Sequence, residues 1–228
     1  MRSIGQRLLR SASLPASGRV LDAGCGSGQT MTWLADLLPR WERVGVDVAS
    51  EAVASARSIG EAVIEASVLS LPFDSASFDL VITLDVLQHL PLDGGDAAAL
   101  AEMRRVSRPG GTLLIRTNAQ SFPRVSEDRA SLYRRYDPEP LRRVIEDAGF
   151  RILRLGRANS ILGLAEIPRE LRARRKDAGS YHGLLSAPRA PRRIDRIKRG
   201  VIEAEGALLS RGVRLPFGRT LFALCRAA

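Results

Sequence analysis

The sequence predicts an α/β fold built on a mainly parallel sheet, and three observations carry that expectation. Strand-like and helix-like patterns alternate through residues 1–156, as βα units require. A glycine-rich turn, Gly24-Cys25-Gly26-Ser27-Gly28, follows the first strand-like run. An acid, Asp47, closes the second.

The elements follow in order. Arg19-Val20-Leu21-Asp22 reads as a short buried strand, and Met31, Leu34, Leu37 and Leu38 recur at helical spacing from Gln29 until Pro39 ends the run. Arg43 to Val48 is the second strand; Ser50, with Glu51 behind it, reads as the N-cap of a helix to Arg57. Ala62–Glu65 is a short third strand and Phe78–Leu84 the fourth and most apolar. A helix runs from about Asp96 to Val106, Arg108-Pro109-Gly110-Gly111 is a turn, and Thr112–Arg116 is a fifth strand. A helix over Pro138–Ala148 stops at Gly149, and Phe150–Leu155 is a sixth strand. Leu164–Lys176 reads as a short basic helix and Ala178–Pro191, with its glycines and prolines, as a loop. Ile194, Ile197, Val201, Ala204 and Leu208 mark an amphipathic helix over Arg192–Arg211. Arg219–Cys225 is a closing apolar strand. The segment between the last two strands is too long for a hairpin and is expected to form a helical cap over one end of the sheet.

Composition bounds the function. At 228 residues, 45% hydrophobic and 26% charged, the chain suits one domain with a single core and excludes wholesale disorder. No apolar run approaches the ~20 residues of a membrane span, and the basic N-terminus lacks the apolar segment of a signal peptide. Two cysteines, Cys25 and Cys225, make no disulfide framework, so a reducing cytoplasm is the expected location. Residues 1–103 hold 7 basic and 13 acidic side chains, net −6; residues 104–228 hold 28 and 12, net +16. A basic half suits an anionic partner such as nucleic acid, a phosphorylated substrate or a membrane surface. It has a compositional explanation too, because only Lys176 and Lys198 among the 35 basic residues are lysine, a bias that GC-rich codon usage produces.

The glycine-rich turn carries the chemistry. Gly24, Gly26 and Gly28 let backbone approach a ligand, and the next helix offers free N–H groups. A dinucleotide fingerprint would need glycine where Gln29 stands. Asp22, just before the glycines, can attract an ammonium group, where a dinucleotide would bring pyrophosphate. Asp47, 23 residues after Gly24, is placed to accept hydrogen bonds from both hydroxyls of an adenosine ribose. Val48 can pack on an adenine face or in an ordinary core.

Val20–Gly28, Val44–Asp47, Leu71-Pro72-Phe73-Asp74, Phe78–Leu84 and Arg108-Pro109-Gly110-Gly111, in that order, resemble the class I S-adenosylmethionine-dependent methyltransferase family, and within it the branch acting mainly on small molecules. The resemblance covers about residues 18–156, and Leu215-Pro216-Phe217-Gly218 with the last strand is similar to that branch's C-terminal end. It implies a Rossmann-like seven-stranded sheet with an antiparallel last strand. The expected organisation is one domain, 1–228: a cofactor-binding core over 18–156, the helical cap over 157–215 and the closing strand over 216–228. The implied cofactor is S-adenosyl-L-methionine, with Asp22 and Gly24 by its methionine end, Asp47 on its ribose, and Leu84 presenting backbone to its amino group. Two departures stand out. Four residues before Leu71 the family often places an acid that bonds the adenine amino group, and here Ser67 stands there, followed by Val68. A neutral bond from Ser67 contributes on the order of 1 kcal/mol, so adenine anchoring is expected to be weaker. Only 19 residues precede the first motif, where relatives usually carry a helix over the cofactor. Either the cap does that work or the native start lies upstream.

Methyl transfer from a sulfonium needs a nucleophile held in line at roughly 3 Å, and hydroxyl acceptors need a base. His89, directly after the fourth strand where open sheets place their ligand crevice, is the first candidate base; its alternative is packing at a helix start. His182, after Tyr181, could close over substrate or lie on the surface. Tyr133 and Tyr136 face the usual acceptor region or pack a hinge, and Asp85 could orient substrate or cap a helix. The Leu84-Asp85-Val86-Leu87 stretch lacks the Asn-Pro-Pro-Tyr signature of amino-group methylation, which favours an oxygen or carbon acceptor. Cys25 has no partner suggesting a nucleophile, and the sequence shows no metal-ligand cluster. The leading expectation is a methyltransferase of a small molecule in specialised-metabolite, glycan or lipid biosynthesis. The alternatives are methylation of RNA or another polyanion, disfavoured by few aromatics and no RNA-binding module, and a cofactor-binding protein without turnover. Membrane association through Arg192–Arg211 is disfavoured by Asp195, Glu203 and Glu205.

Overall fold

The computed structural model describes residues 2–120, 134–160 and 192–228, with backbone alone at 192–195 and 197. The elements run α1 (Arg2–Ser11), β1 (Gly18–Ala23), α2 (Gln29–Leu37), β2 (Trp41–Asp47), α3 (Ser50–Ser58), β3 (Val63–Glu65), β4 (Phe78–Leu84), a single turn at Leu87–His89, α4 (Gly95–Val106), β5 (Ser107–Asn118), α5 (Pro138–Asp147), β6 (Phe150–Ala158), α6 (Arg192–Ser210) and β7 (Thr220–Ala227).

The strands form one seven-stranded sheet in the order β3-β2-β1-β4-β5-β7-β6. The pairs from β3 to β5 are parallel. Strand β7 inserts antiparallel between β5 and β6, as the family resemblance implied. The period of two along each strand sends alternate residues to two cores. Leu21, Val81, Ile115 and Ala223 face the cluster under α4 and α5. Val20, Ile82, Leu114 and Phe222 face the cluster under α1 and α2, which Leu209 of α6 joins. Both faces of the central strands are covered, which is why they read as continuous apolar runs.

Several expectations change. Helix α1 was not read from the sequence, yet Ile4, Leu8 and Leu9 form a buried stripe on it. Ser50 is the first helical residue of α3 rather than its cap; the cap position is Ala49, whose N–H donates to Asp47 Oδ1 at 3.0 Å. Strand β5 begins at Ser107, because Arg108–Gly111 form a bulge against β4 rather than a separate turn. Of the expected cap, the helix at 164–176 and the loop at 178–191 lie outside the described residues. Helix α6 packs against α1 and β6, so its apolar stripe serves one face of the sheet. Glu205 on α6 is buried and accepts the N–H groups of Asn159 and Ser160 at 2.6 and 2.9 Å, which ties that helix to the end of β6.

Candidate active site

The glycine-rich turn, Asp22, Asp47, Leu84 and Arg116 come together at the carboxyl ends of β1, β2, β4 and β5, the end at which open parallel sheets hold ligands. The turn after β1 is anchored by the N–H groups of Gly24 and Cys25, both donating to the Val46 carbonyl of β2. Gly24 takes φ +85°, and a Cβ there would stand 2.2 Å from Val86 Cγ2, so only glycine lets the turn pass beneath the residues after β4. Gly26, at φ +53°, faces open space, and its N–H donates to Asp47 Oδ2 at 2.8 Å. Gly28 is the left-handed N-cap of α2.

Asp22 is 1% exposed, and neither carboxylate oxygen has a hydrogen-bond partner among the described residues. Burial, with the charge of Asp47 nearby, pushes its carboxyl up to about 7; the Arg116 charge opposes that shift. A buried acceptor left unbonded costs free energy until a donor arrives. An ammonium group is the donor this carboxylate lacks. Asp47 keeps acceptor capacity beyond its two backbone bonds, and Val48 beside it is 66% exposed among the described residues, an open apolar surface. Val68 is buried. Ser67 Oγ accepts the Leu69 N–H at 3.1 Å, leaving its own proton to donate. These residues fit S-adenosylmethionine: Asp22 for the amino group, Asp47 for the ribose, Val48, Ser67 and Val68 for the adenine.

Beyond β4 the arrangement holds surprises. Asp85 takes φ +62° and its carboxylate pairs with both Nε and Nη2 of Arg116. Arg116 and Leu84 line a cavity of about 120 Å³ with Arg2, Gln29, Trp33 and Phe222. Sequence reasoning missed Arg116, Arg2 and Trp33. The one available signal was an arginine ending an otherwise apolar strand. His89 sits on the turn after β4, exposed, and does not line this cavity. Tyr136 is buried, with its hydroxyl donating to Asp96 Oδ2 at 2.9 Å and its ring near Arg134; it locks residues 134–137 to α4. Burial raises its pKa well above the ordinary value, against a catalytic part. The Cys25 thiol is pushed up to about 12 by burial and the Asp22 and Asp47 charges, which makes it a poor nucleophile. Tyr133 and His182 lie outside the described residues. No group of three or more potential metal ligands occurs among the described residues, and no described helix is long and apolar enough to cross a membrane.

Comparison with known proteins settles the family. A methyltransferase domain family matches residues 21–115. A methyltransferase of Encephalitozoon cuniculi is 32% identical over 155 residues, 59% of this chain and 70% of that protein. The chain belongs to the class I S-adenosylmethionine-dependent methyltransferase family. Its cofactor is S-adenosylmethionine. A tRNA (carboxymethyluridine(34)-5-O)-methyltransferase of Arabidopsis thaliana is 33% identical over 103 residues, 45% of this chain but only 24% of that protein. In fold, this methyltransferase is similar to the Haemonchus contortus phosphoethanolamine N-methyltransferase 2 determined with S-adenosyl-L-methionine. The TM-score is 0.66 at 18% identity, covering 99% of this chain and 52% of the other.

Proposed function

We propose that this methyltransferase acts on a small-molecule acceptor through an oxygen or carbon nucleophile. The observation that carries the reading is the cofactor end of the site. Asp22 is buried with no hydrogen-bond partner among the described residues, near the open Gly26, and Asp47 stands at the next strand end. When bound, the cofactor supplies an electrophilic methyl group on a sulfonium. Asp22 holds its amino group, Asp47 its ribose hydroxyls, Val48 and Val68 its adenine, and Ser67 donates at the adenine edge. Leu84, the last residue of β4, lines the cavity. That cavity, closed on one side by α1, suits a small acceptor kept from bulk water. The residues after β4, Leu84-Asp85-Val86-Leu87, carry no amino-methylation signature. His89, exposed on the turn after β4 and outside that cavity, is the candidate base only for an acceptor that reaches past the cavity onto the 87–89 turn.

The first experiment is calorimetric titration with S-adenosylmethionine and S-adenosylhomocysteine, beside Asp47→Ala. Micromolar binding weakened at least ten-fold by the substitution, about 1.4 kcal/mol, supports the reading. Folded protein that binds neither ligand defeats it.

A second reading, methylation of RNA, is favoured by the net +16 over residues 104–228 and by the name of the Arabidopsis relative. RNA binding through those arginines would weaken steeply between 50 and 200 mM salt, whereas turnover of a small acceptor would not.

A further inference from the structure

We infer that the acceptor carries an oxyanion group, a carboxylate or a phosphate, and that Arg116, aimed by Asp85, receives it in the cavity beneath α1. This rests on the methyltransferase reading and narrows its acceptor to a chemical class.

The argument starts from what Arg116 does and what it leaves undone. It is the last arginine of a strand whose preceding inward residues are apolar, and its β-register places it on the Leu114 face, toward α1 and α2. Its Nε and Nη2 are spent on the Asp85 carboxylate, but Nη1 makes no hydrogen bond to any described residue. A guanidinium has five donors in a fixed fork, so one edge is committed while Nη1 has no partner among the described residues, and the residue lines the cavity. The side chain is only 21% exposed, so water satisfies that nitrogen incompletely.

Asp85 is placed for this purpose. It holds a left-handed φ of +62°, uncommon outside glycine, and its own N–H donates to the Arg116 carbonyl at 2.8 Å. Backbone and side chain are thus both committed to one arginine, and the fork is fixed rather than searching. Asp85 is a positioning residue.

The rest of the cavity matches an acid with a small apolar body. Arg2 of α1 brings a second guanidinium, whose one described bond is a long 3.3 Å contact to neutral Gln29. Trp33 and Phe222 supply the apolar walls, and the volume of about 120 Å³ is near that of cavities, about 150 Å³, that take a single benzene. Two cations, Arg2 and Arg116, line this space, and Asp85 offsets one of them as its ion-pair partner, so the space keeps a net positive charge. The unpartnered Asp22 carboxylate lies on the same face of the sheet, within electrostatic range of Arg116, which puts the oxyanion subsite beside the cofactor's amino-acid end. Charge then sorts the ligands: the ammonium goes to Asp22 and the oxyanion of the acceptor to Arg116.

The test uses the full chain saturated with S-adenosylhomocysteine and three probes built on one phenyl ring: benzoate, its neutral isostere benzamide, and the larger phenyl phosphate. Binding is read by calorimetry and by Trp33 fluorescence. At least one anion is expected to bind ten-fold or more tightly than benzamide, and the better of the two anions names the source of the oxyanion. Arg116→Gln abolishes the preference, while Arg116→Lys retains part of it as a point charge without the fork. Three results overturn the inference: benzamide binding as tightly as the anions, a preference that survives Arg116→Gln, or anions that displace S-adenosylhomocysteine competitively. In the last case the guanidinium serves the cofactor's own carboxylate. Should the chain bind no S-adenosylhomocysteine, the function proposed above fails by itself. The same probes added to the free protein still read the pocket, and the wild-type comparison needs no variant to fold.

Discussion

Asp85 and Arg116, 31 residues apart in sequence, hold each other twice. The N–H of Asp85 donates to the Arg116 carbonyl at 2.8 Å, and the Arg116 guanidinium donates back to the Asp85 carboxylate through two nitrogens. The pair ties together the carboxyl ends of β4 and β5. Its side chains are too accessible, 21% and 41%, for the ion pair to contribute much stability. Its weight is in geometry.

That geometry predicts an order of variants at Asp85. The left-handed φ of +62° costs an L-residue such as alanine about 1–2 kcal/mol that glycine escapes. Asp85→Ala should therefore be less stable than Asp85→Gly by about 1 kcal/mol, with Asp85→Asn between them, in urea unfolding at neutral pH. Equal stabilities would mean that the backbone relaxes out of the left-handed region.

Asp22 predicts a pH dependence. Its carboxyl is raised from 3.8 to about 7. Below 3.8 both folded and unfolded chains hold the proton, and the fold suffers no ionisation penalty. As pH rises from 3.8 to about 7 the unfolded chain ionises first, so this group removes stability at about 1.4 kcal/mol per pH unit. Above about 7 the loss is complete. Asp22→Asn should abolish that component, and the free variant should gain on the wild type as pH rises through this window. Ligand binding runs the other way. Wild-type affinity for S-adenosylhomocysteine should fall up to ten-fold per pH unit below about 7, as the carboxylate that meets the ammonium becomes protonated. The variant should bind weakly at every pH. Paired thermal melts and titrations from pH 5 to 8 check both slopes.

Gly24 predicts a paired rescue. Its added Cβ would lie 2.2 Å from Val86 Cγ2, at φ +85°. Gly24→Ala should cost about 1–3 kcal/mol and weaken cofactor binding by moving the turn. Val86→Ala in the same chain removes the clash and leaves the φ strain, so it should recover part of the stability. Chemical denaturation of both single variants and the double variant measures the coupling.

Glu205 predicts a loss far from the site. Its buried carboxylate accepts two backbone N–H groups, those of Asn159 and Ser160. Glu205→Ala would leave buried donors unmet and cost about 1–3 kcal/mol, whereas Glu205→Gln keeps an acceptor and should cost less. Cofactor affinity should be unchanged in both, which separates this helix–strand tie from the catalytic end.

Much of the cofactor half was legible because its signals are local. An apolar strand, glycines at positive φ and an acid at the end of the next strand need only neighbouring residues to be recognised, and the structure brings Asp22, Gly24, Gly26 and Asp47 together at one end of the sheet. Helix α1 was missed because its apolar stripe is short: Ile4, Leu8 and Leu9 have meaning only against the β7 and α6 surfaces they cover. The cap at Ser50 misled because Asp47, two residues before Ala49, was already bonded to that N–H. Tyr136 read equally well as acceptor-facing or as a hinge, and only its bond to Asp96, 40 residues away, decides for the hinge.

By itself the sequence determined the α/β class, the strand and helix order through the core, and the glycine turn flanked by Asp22 and Asp47. These depend on hydrophobic period and on backbone angles that single residues allow or forbid. The tertiary structure alone decided that the Asp22 carboxylate is buried with no hydrogen-bond partner among the described residues, that Arg116 pairs with Asp85 and lines a cavity, and that α1 and α6 cover the same face. Each of these depends on residues far apart in the chain. Burial, pairing and enclosure exist only once β4, β5 and β7 lie side by side and the helices have closed over them.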